Sequence, residues 1–319
     1  NIQLLDSYQD IISLENLLEA WEEFVLGKRL RKDVQEFERN LMSNIIALHD
    51  DLVTKRFCHS AYEAFNISDP KPRNIHKASV RDRLLHRALY RKLYPFFDRT
   101  FIADSFSCRN GKGTHKAINR FRRLASRASK NHTITCWVLK CDIRKFFASV
   151  NHEILLSILR RHIPDQDIIW LLRNIIASFY TESSLGVGLP LGNLTSQLFA
   201  NIYMNCFDQW VKHTLKAEYY VRYADDFVFL SRDKEWLLRA LPQIRYLLQN
   251  RLRLILHPDK IILKTLASGV DFLGWVHFPN HRVLRTTTKR RMLRRIKEHP
   301  APETLQSYLG LLQHGNTFG

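Results

Sequence analysis

The chain has 319 residues, 45% of them hydrophobic and 11% aromatic, enough for one sizeable core or a multi-lobed body around one. Its formal net charge is +18, from 49 Lys and Arg against 31 Asp and Glu. No apolar run reaches bilayer length, no signal-peptide pattern opens the chain, and none of the five cysteines forms a C-x-x-C pair. A membrane protein and a zinc module are therefore not expected, and a soluble cytoplasmic protein with reduced thiols is. The first residue is Asn1 rather than Met, so a few further residues are expected ahead of it.

Residues 13–54 read as helices. Leu14, Leu17, Leu18, Trp21 and Val25 recur at helical spacing, Phe37, Leu41, Ile45 and Leu48 repeat the pattern, and a basic turn over 27–32 separates them. Asp69-Pro-Lys-Pro72 breaks the chain and opens an extended segment. Residues 81–97 follow as a helix with Leu84, Leu85, Ala88, Leu89 and Leu93 inward. Gly111-Lys-Gly113 turns into a basic helix near 115–129. Residues 134–142 read as a strand and 150–162 as the helix after it. A glycine-rich loop over 186–192 opens a long apolar helix over 194–211. Residues 219–230 read as a hairpin with two aspartates in the middle, 234–251 as a helix, 261–263 and 270–277 as short strands, and the tail from Thr288 as helical. The mixture predicts an α+β fold around a modest antiparallel sheet.

The positive charge is clustered. Residues 71–130 carry 17 Lys and Arg against Asp82, Asp98 and Asp104, a balance of +14, and residues 282–297 carry eight basic residues and no acid. Two such blocks on folded segments fit the footprint of a polyanion, with a membrane surface or plain solubility as competing readings.

Asp225 and Asp226 lie between Val221-Arg-Tyr-Ala224 and Phe227-Val-Phe-Leu230. Adjacent carboxylates in an apolar sheet repel each other and resist desolvation. A water-exposed turn relieves this, and so does a divalent cation held between them. Asp142 ends the apolar stretch Trp137-Val-Leu-Lys-Cys-Asp142, a strand-end position where active sites of mixed folds tend to lie, although a helix cap is the plain alternative. If that strand pairs beside the hairpin, Asp142 and Asp225 face one point and can hold two Mg²⁺ ions.

The motifs together resemble those of reverse transcriptases. Tyr223-Ala-Asp-Asp226 resembles the Y-x-D-D box, and Asp142 followed by Phe147 resembles the first palm motif. Leu189-Pro-Leu-Gly-Asn-Leu-Thr-Ser-Gln197 resembles P-Q-G-x-x-x-S-P, with Leu191 in place of Gln and Gln197 in place of Pro. Lys71-Pro-Arg73 with Arg81-Asp-Arg83 resembles the fingers motifs, and Ser105-Phe-Ser-Cys-Arg-Asn-Gly-Lys-Gly113 resembles S-F-G-F-R-P-G-R-G. His257-Pro-Asp-Lys260 and Phe272-Leu-Gly-Trp275 resemble the later palm and primer-grip motifs. The boxes keep the family's order across roughly residues 70–276. The string Gly192-Asn-Leu-Thr-Ser-Gln197, the run from Gly27 to Glu38, and Thr304-Leu-Gln-Ser-Tyr-Leu-Gly310 resemble the reverse transcriptases of bacterial and phage diversity-generating retroelements, relatives of the group II intron enzymes.

The resemblance implies a right-hand polymerase with fingers, a palm with an antiparallel sheet and a short helical thumb. Its expected boundaries are a helical extension over 1–54, fingers 55–135, the first catalytic palm strand 136–150, a fingers/palm insertion 151–192, palm 193–276 and thumb 277–319. It implies Asp142, Asp225 and Asp226 as catalytic residues and, with Ile143, as the site of two Mg²⁺ ions, Mn²⁺ being an alternative. Lys71, Arg73, Phe147, Leu191, Gly192, Gln197 and Lys260 are implied in nucleotide binding: Arg73 and Lys71 at the triphosphate, Phe147 against a ribose 2′-hydroxyl, Lys260 as an acid toward pyrophosphate. Tyr223, Phe272, Leu273, Gly274, Trp275, Arg109 and Lys112 are implied in primer and template binding. The implied partners are a template RNA, a DNA or RNA primer, dNTPs and a small basic accessory protein. The implied function is cDNA synthesis that is error-prone at adenines, for targeted gene diversification. Beyond Val276 the only acids are Glu298 and Glu303, so no RNase H cluster is expected there. The alternatives are a phage-defence or group II intron-like reverse transcriptase and, in another class, a non-catalytic nucleic-acid-binding scaffold.

Overall fold

The computed structural model describes residues 2–68, 72–181 and 184–312. The chain divides into two compact units, each assembled from separate stretches: 1–101, 145–207 and 249–254 in the first, 102–144, 208–248 and 255–319 in the second.

The first unit begins with four helices, α1 (Tyr8–Ile12), α2 (Leu14–Val25), α3 (Lys32–Arg39) and α4 (Leu41–Val53). The side chain of Ser7 caps α1 and that of Ser13 caps α2, satisfying amides that the first turn leaves open. A polar hairpin follows, β1 (Glu63–Ile67) and β2 (Arg73–Lys77), then α5 (Val80–Asp98). Leu17, Ala20 and Trp21 of α2 and Leu84, Leu85 and Ala88 of α5 are fully buried where the two helices pack. Asn16 is buried in that interface and donates to the carbonyls of Ile11 and Ala88, so its amide is not left unpaired.

In the second unit, α6 (Thr114–Ala128) packs on a four-stranded sheet and turns Ala117, Phe121, Leu124 and Ala125 into it. The sheet contains β3 (Trp137–Asp142). In the first unit again come α7 (Phe146–Ser149), α8 (His152–Arg160) and α9 (Gln166–Ala177), and α10 spans Leu194–His213. The sheet continues with β4 (Tyr219–Tyr223) and β5 (Asp226–Ser231), α11 covers Lys234–Leu252, and β6 (Ile262–Thr265) completes the order β4-β5-β3-β6, antiparallel throughout. A second sheet is formed by β7 (Val270–Phe272), β8 (Trp275–His277) and β9 (Arg282–Leu284), followed by α12 (Thr286–Glu298) and α13 (Pro302–Leu312).

Elements α1, α7 and β9 are unassigned in the sequence reading, and three further elements depart from it. Residues 270–277 are a hairpin rather than one strand, because Leu273 and Gly274 both take positive φ, 52° and 85°, as a two-residue hairpin turn requires. The β1–β2 hairpin lies where only an extended segment is expected, and three residues of the Asp69-Pro-Lys-Pro72 break, 69–71, lie outside the described residues. Helix α9 is unassigned by periodicity, yet the Asp165 carboxylate caps it, accepting from the amides of Asp167 and Ile168. Among the described residues no helix is long and apolar enough to cross a membrane.

Candidate active site

The acidic residues lie together in the second unit. β3 runs between β5 and β6 and buries Val138, Leu139 and Cys141, and Asp142 closes it where the apolar run ends. The register sets Asp142 directly opposite Asp226, and directly paired residues send their side chains to the same face. Sequence reasoning expected Asp142 and Asp225 to face one point and fixed no register. The cross-strand partner of Asp142 is Asp226, and Ala224 and Asp225 make the two-residue connection between β4 and β5. Ala224 has φ 54°, and the Asp225 carbonyl accepts the Ile143 N–H at 3.2 Å. Ile143 itself is buried and apolar, so its carbonyl is the one ligand atom it offers.

Two lysines lie on these carboxylates. Lys260 donates to Asp142 Oδ1 at 2.9 Å, and the Asp142 carbonyl accepts from the His257 amide at 2.8 Å. Lys140 Nζ stands 3.4 Å from Asp226 Oδ1 and donates to the Asp271 carbonyl at 3.0 Å. Asp226 Oδ1 is buried with no hydrogen-bond partner. Burial pushes the Asp226 carboxyl up to about 6. Lys140 opposes that shift, and the charges of Asp142 and Asp225 add to it.

Like charges facing each other across a sheet are destabilising, and an unpartnered carboxylate oxygen more so. A hard cation that takes oxygen ligands relieves both. Among the described residues no three His, Cys, Asp or Glu side chains are already gathered at metal-binding distance. The Asp142–Asp226 pair, with one buried oxygen that makes no hydrogen bond, and Asp225 on the adjoining turn nevertheless fit a divalent ion by donor chemistry.

Other sequence-predicted residues of this unit have structural partners. Arg109 donates to the carbonyls of Ile102 and Ser105, and Lys112 to that of Ala103 while lying over the Phe106 ring. The Tyr223 hydroxyl accepts from Thr114. Phe272 and Trp275 are fully buried, leaving Leu273 and Gly274 at the hairpin tip.

The remaining predicted residues belong to the first unit. Arg73 is exposed at the start of β2, and Lys71 lies outside the described residues. Phe147 is half-buried, edge-on to the buried Phe146, and its carbonyl accepts the Leu189 amide at 2.7 Å. Leu191 is half-buried and its carbonyl accepts the His76 amide at 3.0 Å. Gly192 has φ 101°, and a Cβ there would lie 2.8 Å from Ile75 Cγ2, so both backbone and space call for glycine. Gln197 is half-buried in the first turn of α10, its amide bonded to the Asn193 carbonyl at 3.3 Å.

Sequence reasoning missed Lys140, Arg222 and Asp208. The signal was present in the first two: each is a single cation inside an otherwise apolar strand, where charge is costly unless paired.

A mixed chain whose antiparallel sheet carries an aspartate at the end of one central strand and two more at the neighbouring hairpin has the right-hand polymerase fold. Residues 68–277 match the reverse transcriptase (RNA-dependent DNA polymerase) family, and the chain belongs to it. It is similar to protein YkfC of Escherichia coli, 26% identical over 258 residues that cover 70% of this chain and 66% of that one. It is also similar to the group II intron-encoded protein LtrA of Lactococcus lactis (22% identical, 69% of this chain, 46% of LtrA) and to the retron Ec83 reverse transcriptase of Escherichia coli (27% identical, 46% of this chain, 49% of that one). The chain thus spans 66% of YkfC and about half of the other two. Among solved structures, telomerase from Candida albicans is similar in fold, with TM-score 0.54 and 11% identity over 73% of this chain and 48% of that one.

Proposed function

We propose that the chain copies RNA into DNA, adding dNTPs to a DNA or RNA primer with divalent cations held by Asp142, Asp225 and Asp226. The observation that carries this reading is the cross-strand pair Asp142–Asp226, two facing carboxylates of which one oxygen, Asp226 Oδ1, is buried with no hydrogen bond and only the Lys140 ion pair at 3.4 Å. When bound, two Mg²⁺ ions supply positive charge to the primer 3′-hydroxyl and to the departing pyrophosphate. The three carboxylates fix the ions' positions. Lys260 Nζ, hydrogen-bonded to Asp142, carries a proton that can pass to pyrophosphate. Arg73 binds the triphosphate with a bidentate guanidinium, and the Phe147 ring rejects a ribose 2′-hydroxyl. On this reading the fingers, palm and thumb follow the boundaries given above, and the basic helices α6 and α12 track phosphates.

The finer reading is a polymerase of the diversity-generating retroelement type, error-prone at adenines and working with a small basic accessory protein. It rests on the string Gly192-Asn-Leu-Thr-Ser-Gln197 and on Leu191, which has no donor or acceptor to offer a nucleotide. A second reading, a group II intron-like or defence-type enzyme, draws on the similarity to LtrA and the retron protein. Primer extension on RNA with sequencing of the cDNA separates them. Frequent misincorporation opposite adenines, partly reduced in Leu191→Gln by up to about tenfold for one hydrogen bond, supports the first. Faithful cDNA from the parent supports the second.

A further inference from the structure

Arg222 is a cation next to the last residue of β4, with its side chain 1% exposed and that of its partner Asp208 0% exposed. Its guanidinium is divided among several tasks. Nε reaches both Asp208 oxygens, at 2.8 and 3.0 Å, and Nη2 reaches Oδ2 at 2.6 Å. Asp208 also accepts the Tyr220 hydroxyl at 2.8 Å, and Nη2 lies 3.4 Å from Ser105 Oγ. Nη1 donates to the carbonyl of Ala224 at 3.0 Å, inside the turn that carries Asp225. The main chain of Arg222 is fixed as well: its amide donates to the Asp104 carbonyl at 2.9 Å, and its carbonyl accepts from the Phe106 amide at 3.0 Å.

That turn is closed by the Tyr223–Asp226 pair where β4 meets β5. Ala224 lies in the left-handed region at φ 54°, which a residue with a Cβ resists. Beyond the strand pairing, its carbonyls accept from Arg222 Nη1 at Ala224 and from the Ile143 N–H at Asp225. A buried ion pair adds little to stability over well-packed apolar residues of similar volume, so stability alone does not account for one here. An arginine's planar fork can serve Asp208 on one edge and Ala224 on another; a lysine has no such geometry.

We infer that Arg222, clamped by Asp208, is a positioning residue: it holds the Ala224–Asp225 turn in its left-handed conformation and so sets where the Asp225 carboxylate stands relative to Asp142 and Asp226. This rests on the reading of those aspartates as metal ligands. Remote support of a metal ligand is typically worth about 10- to 100-fold in metal affinity.

The test replaces the whole buried network at once, Arg222→Met with Asp208→Leu and Tyr220→Phe, so that no charge is left unpaired. Thermal unfolding reports the fold, Mn²⁺ binding by loss of the free-ion EPR signal reports the site without turnover, and the Mg²⁺ concentration for half-maximal primer extension reports the working enzyme. The expected result is parental unfolding behaviour with Mn²⁺ affinity lowered about tenfold or more and the Mg²⁺ requirement raised in step. A folded triple variant with parental Mn²⁺ affinity overturns the inference. Should the triple variant not fold, Arg222→Lys decides: weakened Mn²⁺ binding in a folded protein supports the inference, and parental binding overturns it. Asp225→Asn is measured alongside. If it binds Mn²⁺ like the parent, the metal-site reading itself fails. If it loses binding while the network variants keep theirs, only the role of Arg222 fails.

Discussion

Asp208 and Asp226 lie in the same unit, each beside a strand-borne cation, and their surroundings finish them differently. Asp208 accepts from two arms of Arg222 and from Tyr220, so its charge is fully answered. Asp226 faces Asp142 across the sheet, and its buried Oδ1 makes no hydrogen bond and has only the longer ion pair to Lys140 at 3.4 Å. Completed hydrogen bonding marks a structural carboxylate, and incomplete bonding beside like charge marks a site awaiting a cation. Removing the cation beside Asp208 and removing the charge of Asp226 should therefore have opposite effects on stability.

The largest effect is expected on the satisfied side. Arg222→Met alone leaves Asp208 buried without its cation and should lower unfolding stability by roughly 3–5 kcal/mol, read as a lower denaturant midpoint. A loss under about 1 kcal/mol would show that Asp208 finds another partner. Asp226→Asn should act the other way. Its carboxyl is pushed up to about 6 in the fold, above the ordinary range, so the folded state carries a penalty that is complete above pH 6 and vanishes as both states become protonated in acid. At pH 8 without divalent metal, Asp226→Asn should gain roughly 1–3 kcal/mol, and the gain should shrink on adding Mg²⁺. A destabilised variant would contradict the comparison.

A buried histidine in each unit extends the contrast to pH. Burial, with His59 and Arg83 nearby, pushes His86 down to about 3, and burial pushes His277 down to about 4. Both are neutral in the fold and take a proton more readily once unfolded. Their stability is fully present above about pH 6.5 and is lost as pH falls toward those values. Between pH 7 and 5 each should contribute a loss of roughly 1–2 kcal/mol. His86→Gln and His277→Gln should each flatten the pH dependence of the unfolding free energy. Parental slopes in both would show that other groups set the acid limit.

The smallest expected change concerns selectivity rather than stability. Phe147 is half-buried beside Phe146, so Phe147→Ala should leave the fold and much of the dNTP use intact while admitting rNTPs. Unchanged discrimination between the two sugars would remove Phe147 as the gate.

The sequence made legible whatever rests on long periodicity or on charge set in apolar surroundings. Helices α2, α5, α10 and α11, strand β3 and the β4–β5 hairpin lie within a few residues of their expected places. The β1–β2 hairpin was hidden because its strands, Glu63-Ala-Phe-Asn-Ile67 and Arg73-Asn-Ile-His-Lys77, are largely exposed and show no alternation to read. The register was hidden as well. Whether Asp225 or Asp226 faces Asp142 depends on a turn of two residues, and a shift of one residue reverses every side chain. The link from Arg222 to Ala224 runs between residues two apart and leaves no sequence pattern.

The central claim is that Asp142, Asp225 and Asp226 hold the ions for RNA-templated DNA synthesis. Its most direct test is primer extension on an RNA template with dNTPs and Mg²⁺ by parent and Asp225→Asn, with thermal unfolding measured on the same samples. The account predicts cDNA from the parent and none detectable from a variant that unfolds like it, since several kcal/mol of lost transition-state stabilisation lowers the rate by about tenfold for each ~1.4 kcal/mol. Near-parental extension by Asp225→Asn would contradict it.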